Sequence, residues 1–191
     1  MNMESDVKFS WALLRKEYKL VFAGLVVSLL LLFLEKVSFL FGVVYLAFVS
    51  FLIVAAVLDY RYMLVFDKFL IVFALLFAVV YLFASSLVPH ISEGFLCGLL
   101  CSGIFFVLRL INGGVGGGDI KFIFCLGLWL GVKLIFAIYS AVFTAMIFAV
   151  AVPKYRQRQA RIPFAPFLSL GSAVAFVYGE KAIFLLEEYF L

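Results

Sequence analysis

A chain of 191 residues with 68% hydrophobic residues, a mean hydropathy of +1.26 and only 14% charged residues carries more apolar side chains than a soluble domain can bury. It reads as an all-α, polytopic membrane bundle of about six or seven spanning helices, at about 20 apolar residues per span, with no room for a separate aqueous domain. The net charge of +4 comes from basic residues crowded on one side of that bundle and supports no nucleic-acid partner.

Residues 1–19 set Trp11, Leu13 and Leu14 among Arg15, Lys16 and Lys19, which predicts a cytoplasmic amphipathic segment lying on the membrane surface. Residues 20–191 form a single transmembrane domain. The first apolar run, 20–34, is short and reads either as a span or as an interfacial or re-entrant segment. It is not a cleavable signal, because no small-residue cleavage site ends it and further spans follow. Apolar spans then follow at 37–58, 69–88, 94–111, 120–132, 133–153 and 162–179.

Basic residues orient the bundle. Four precede the first span, Arg61 and Lys68 follow the second, Arg109 and Lys121 bracket a glycine-rich loop, and Lys154, Arg156, Arg158 and Arg161 fill the next connection on that side. Only Lys36, Lys133 and Lys181 of the 15 Lys and Arg residues fall on the other side, so the positive-inside rule makes the N-terminus cytoplasmic. The 154–161 loop reads as a topology anchor or lipid contact.

Between the 94–111 and 120–132 spans lies Asn112-Gly113-Gly114-Val115-Gly116-Gly117-Gly118-Asp119-Ile120-Lys121. A carboxylate there needs a reason, since moving an ionisable group into hydrocarbon costs roughly 2.5 to 3.5 kcal/mol on insertion scales. Glycine permits strained turns and close backbone approach, which suggests a loop that admits a peptide. Residues 120–132 span only about 20 Å at 1.5 Å per residue against a core of roughly 30 Å, which sets Asp119 below the surface beside a hydrated pocket. On this reading Gly118→Val impairs turnover, because a β-branched residue resists a positive φ.

Asp59 ends the second span and Asp119 begins the fifth, so opposed helices can bring the two face to face on the cytoplasmic side. Two such acids a few ångströms apart do not both ionise cheaply and hold a single proton between them. That arrangement suits peptide hydrolysis: one member takes a proton from an attacking water while the other hydrogen-bonds the developing oxyanion.

Gly116-Gly117-Gly118-Asp119 resembles the GxGD signature of intramembrane aspartyl proteases. Asp59-Tyr60-Arg61, with Asp67 eight residues after Asp59, resembles the first-aspartate region of type IV prepilin and archaeal preflagellin peptidases. Arg161-Ile162-Pro163-Phe164-Ala165-Pro166-Phe167 resembles the proline-bracketed segment near the C-terminus of prepilin peptidases, and the likeness covers about residues 40–178. It implies an endopeptidase of the cytoplasmic membrane, its site facing the cytoplasm, that removes the short basic leader of prepilin-like precursors. It also implies Asp59 and Asp119 as the catalytic pair, Gly116 and Gly118 as motif glycines with Gly117 at the variable position, and no cofactor or metal. Asp67 and Lys121 are possible substrate contacts, although Phe66 stands where the family usually has proline. Expected partners are a prepilin-like substrate and the lipid membrane. Bifunctional members carry an N-methyltransferase region with paired Cys-x-x-Cys motifs. Cys97, Cys101 and Cys125 lie inside apolar spans and cannot form one, so the resemblance is to the stand-alone type of tight-adherence pilus systems.

Plainer readings stand beside these. Asp67 is equally a solvated loop acid, Lys121 a positive-inside anchor, and Arg109 a side chain snorkelling toward headgroups. Cys97 and Cys101 share a helical face as small packing residues. His90, the sole histidine, falls on the opposite side from both aspartates, which sets aside serine proteolysis; the glycine run lacks the Lys-Ser or Lys-Thr of a phosphate loop. A small ion or proton-coupled transporter or channel using membrane aspartates remains the alternative from another class, and an assembly-platform subunit with structural acids is a third reading.

Overall fold

The computed structural model describes residues 26, 38–63, 67–112, 115–151 and 163–190. The amphipathic segment 1–19, the 20–34 run apart from Val26, and the basic loop 154–161 lie outside the described residues. Among the described residues the chain is helical, with no strand. Six helices follow in order: α1 Phe39–Tyr62, α2 Asp67–Ala84, α3 Ile91–Asn112, α4 Gly117–Leu130, α5 Leu134–Ala151 and α6 Ala165–Phe190.

Helix ends fall where side chains can meet the orphan amides and carbonyls that every helix leaves. Ser38 caps α1, its Oγ accepting from the Phe41 amide at 3.4 Å. At the far end Met63 turns into the left-handed region at φ 53° and returns its N–H to the Asp59 carbonyl, so Asp59 occupies the last turn of α1. Asp67 and Glu93 sit in the first turns of α2 and α3, and Arg109 in the last turn of α3, as the helix dipole favours.

Among the described residues, five stretches are long and apolar enough to cross a membrane: Phe39–Tyr62, Asp67–Leu87, Ile91–Ile111, Gly117–Ala151 and Ala165–Leu185. The 35-residue stretch holds both α4 and α5, broken by a 3₁₀ turn at Gly131–Lys133. The chain reverses there. α4 begins beside Asp67 and ends beside Glu93, whereas α5 begins where Lys133 pairs with Glu180 and finishes with Phe148 against Phe167 of α6. The protein is a multi-pass membrane bundle.

Its interior is aromatic. Phe48 of α1, Phe73 and Phe77 of α2, Trp129 of α4 and Phe176 of α6 interlock, with Phe48 at 5.1 Å from Trp129 and 4.9 Å from Phe176 between ring centroids. Ser169 of α6 donates to the Leu52 carbonyl of α1 at 3.0 Å within this buried zone. α3 and α4 cross most closely, because Gly127 rests on the backbone of Gly98, where any Cβ would overlap it. Close approach of small residues is what holds helices together where lipid removes the hydrophobic drive between them.

The last apolar span, expected at 162–179, is found at Ala165–Leu185, and its helix runs on to Phe190 through Glu180, Lys181 and the residues after them. Hydropathy marks the lipid-embedded part of a helix and not its end. One expectation is corrected: Gly117 and Gly118 belong to the first turn of α4, and Gly131 is the one glycine with positive φ among the described residues. The positive-φ argument for Gly118 therefore fails.

Candidate active site

α1 and α4 deliver Asp59 and Asp119 to the same end of the bundle, and the two carboxylates lie within electrostatic range of each other. Among the described residues neither forms an ion pair. Asp59 is 5% exposed and Asp119 half-buried.

Asp59 is held by backbone. Its Oδ2 accepts from the Ala165 amide at 2.9 Å, and the Phe164 amide also donates to the carboxylate. These are orphan donors at the start of α6, so a side chain more than 100 residues away in sequence serves as the cap that α6 lacks locally. Pro163 is buried beside them and Pro166, having no N–H, leaves the amides of 164 and 165 to do the binding. The proline-bracketed segment thus positions Asp59, a role its sequence resemblance did not disclose.

Asp119 is held by its own helix. As the third residue of α4 it reaches back to the amide of Gly116, the N-cap position, in the manner of the acidic half of a capping box. A Cβ at Gly116 would stand 2.8 Å from Asp119 Oδ2, so this position needs a glycine to leave the carboxylate in place. Beside it, the Arg109 guanidinium covers Gly117, where a Cβ would strike Nη1; Arg109 thus lies over the start of α4 as well as at the membrane edge.

Asp67 and Lys121 find each other. Lys121 Nζ donates to Asp67 Oδ1 at 2.6 Å and Oδ2 at 2.8 Å, joining the first turns of α2 and α4. Neither the loop-acid nor the anchor reading anticipated this pair, because nothing local marks partners 54 residues apart. His90 sits exposed at the other end of the bundle, bonded to Ser92 at 2.7 Å, as its sequence position implied.

The fold and site define a helical membrane protein with two interacting acids at one end, each fixed by backbone amides. A model of the type IV leader peptidase family matches residues 46–153, more than half of the 191, and the chain belongs to that family. The prepilin leader peptidase/N-methyltransferase of Bacillus subtilis (strain 168) is 35% identical over 144 residues, covering 71% of this chain and 56% of the relative. The proteins of the same name from Dichelobacter nodosus and Burkholderia pseudomallei (strain 1026b) are 31% and 34% identical over 81 and 88 residues, each match covering 28% of the relative. The chain thus spans little more than half of the Bacillus protein and a smaller part of the other two. No solved structure gives a significant match.

Proposed function

We propose that this protein is a membrane-embedded aspartic endopeptidase that removes the short basic leader from prepilin-like precursors at the cytoplasmic boundary of the cell membrane. The observation that carries the reading is the meeting of Asp59 and Asp119 from α1 and α4 in a chain of the type IV leader peptidase family. The pair shares one proton. Its ionised member takes a proton from a water as the water oxygen attacks the scissile carbonyl carbon. The protonated member hydrogen-bonds the carbonyl oxygen as charge develops there. When the tetrahedral intermediate collapses, the C–N bond breaks and the nitrogen leaves with a proton from the pair.

Local structure supports this division of labour. The amides of Ala165 and Phe164 fix Asp59, and the Gly116 amide fixes Asp119, so both carboxylates are oriented before substrate arrives. The transporter reading is less well supported, since it places its acids near the middle of the bundle and these lie in end turns of α1 and α4.

Purified protein in detergent, mixed with a prepilin-like precursor, should release the intact leader, and N-terminal sequencing should place the new end just ahead of the apolar helix. An uncut precursor with folded protein would falsify the peptidase reading.

A further inference from the structure

A cavity of about 540 Å³ opens on the bundle surface between α2 and α4, with Ser102 of α3 at its side. Two stripes at helical spacing form its walls: Leu70 and Ala74 continue from Asp67 along α2, and Ile120 and Phe124 run along α4. The Asp67–Lys121 ion pair lines its end at the first turns of α2 and α4. Ile120 directly follows Asp119, so the groove begins one residue from the proposed dyad.

We propose that this groove seats the apolar helix of the protein substrate, which passes the Asp67–Lys121 pair and so presents the backbone ahead of that helix to Asp59 and Asp119. The inference rests on the peptidase reading and adds where the membrane-embedded part of the precursor docks. Three features favour a helix as occupant. The walls are apolar, and the one hydroxyl among them, Ser102, is already bonded to the Leu99 carbonyl at 3.2 Å, so nothing polar in the groove awaits a partner. Ala74 and Ser102 are small, which lets a second helix approach closely. The ion pair at this end is half exposed, at 57% and 54%, and such pairs are weakly held, so either charge can exchange its partner for a charged residue at the membrane boundary of a precursor. A basic leader just ahead of the helix suits Asp67 in that exchange.

The test is photo-crosslinking in vesicles with a synthetic precursor, a Lys/Arg-rich leader joined to an apolar helix. A photoreactive phenylalanine replaces Ile71 or Ala74 in the groove, or Val142 on an exposed part of α5, each in an Asp119→Asn background that keeps the precursor uncut. Adducts with the precursor from 71 and 74, at about tenfold the yield from 142, are expected. Equal yields, or adducts with lipid alone, overturn the docking site. In parallel, Ala74→Trp should raise KM for the anchored precursor about tenfold with kcat little changed, as loss of binding shared by ground and transition states requires. An unchanged KM also overturns it. Cleavage by the unsubstituted protein is followed alongside: cleavage without groove adducts refutes only the docking site, whereas no cleavage refutes the peptidase reading and this inference with it.

Discussion

The two ends of the bundle handle charge in opposite ways. At the end away from the two aspartates, Lys133 meets an opposite charge, pairing with Glu180 at 2.6 Å, while the acid Glu93 caps the Gly131–Lys133 turn by accepting from the Val132 amide at 3.2 Å. At the other end Asp59 and Asp119 lie within electrostatic range of each other, while the nearby ammonium of Lys121 is committed to Asp67. A fold selected only for stability would neutralise two buried acids. Here the molecule instead fixes each with backbone amides, which orient a carboxylate without adding a cation beside it.

This contrast can be broken most sharply at the acids. Asp59→Asn or Asp119→Asn should lower kcat by roughly 100- to 10,000-fold, the usual contribution of general acid–base groups, with the helical circular dichroism unchanged. The fold should survive because an Asn side-chain oxygen still accepts from Ala165, Phe164 or Gly116. Activity in either variant within a few-fold of the original would remove the contrast. Gly116→Ala comes next. Its methyl would press on Asp119 Oδ2, and since a misplacement of about 1 Å can cost roughly 100-fold, kcat should fall by about ten- to 100-fold with KM nearly constant. A normal kcat would mean that Asp119 need not hold its present position.

Changes in the scaffold should act through stability. Gly127→Leu at the α3–α4 crossing must push Gly98 away, and overpacking of this kind costs about 1 to 3 kcal/mol; the thermal transition in detergent should drop, with activity lost only as the protein unfolds. Glu180→Ala should change stability by less than about 1 kcal/mol and leave cleavage alone, because Glu180 is 81% exposed. A large catalytic effect there would show that the two ends are not separate in function.

What the sequence disclosed and what it hid follow from range. Runs of apolar residues exposed the helices, because hydropathy is a local property, and Asp59 and Asp119 stood out because acids at the ends of such runs are costly. The glycines beside Asp119 were visible, but their reason was not. A side chain at Gly116 would displace the carboxylate three positions on, and Gly118 takes no left-handed turn. Partners distant in sequence left no trace at all. Ala165 with Asp59, Lys121 with Asp67, and Gly98 with Gly127 meet only once the helices pack, and periodicity carries no information about which helix faces which.

On the proposed mechanism Asp59 and Asp119 act as one unit on one water. A double-mutant comparison of kcat/KM on a prepilin-like precursor, using Asp59→Asn, Asp119→Asn and the two combined, tests it most directly. Each single change should remove nearly all activity, and the double variant should be no worse than either. Losses that multiply, or a single variant that keeps its rate, would contradict it.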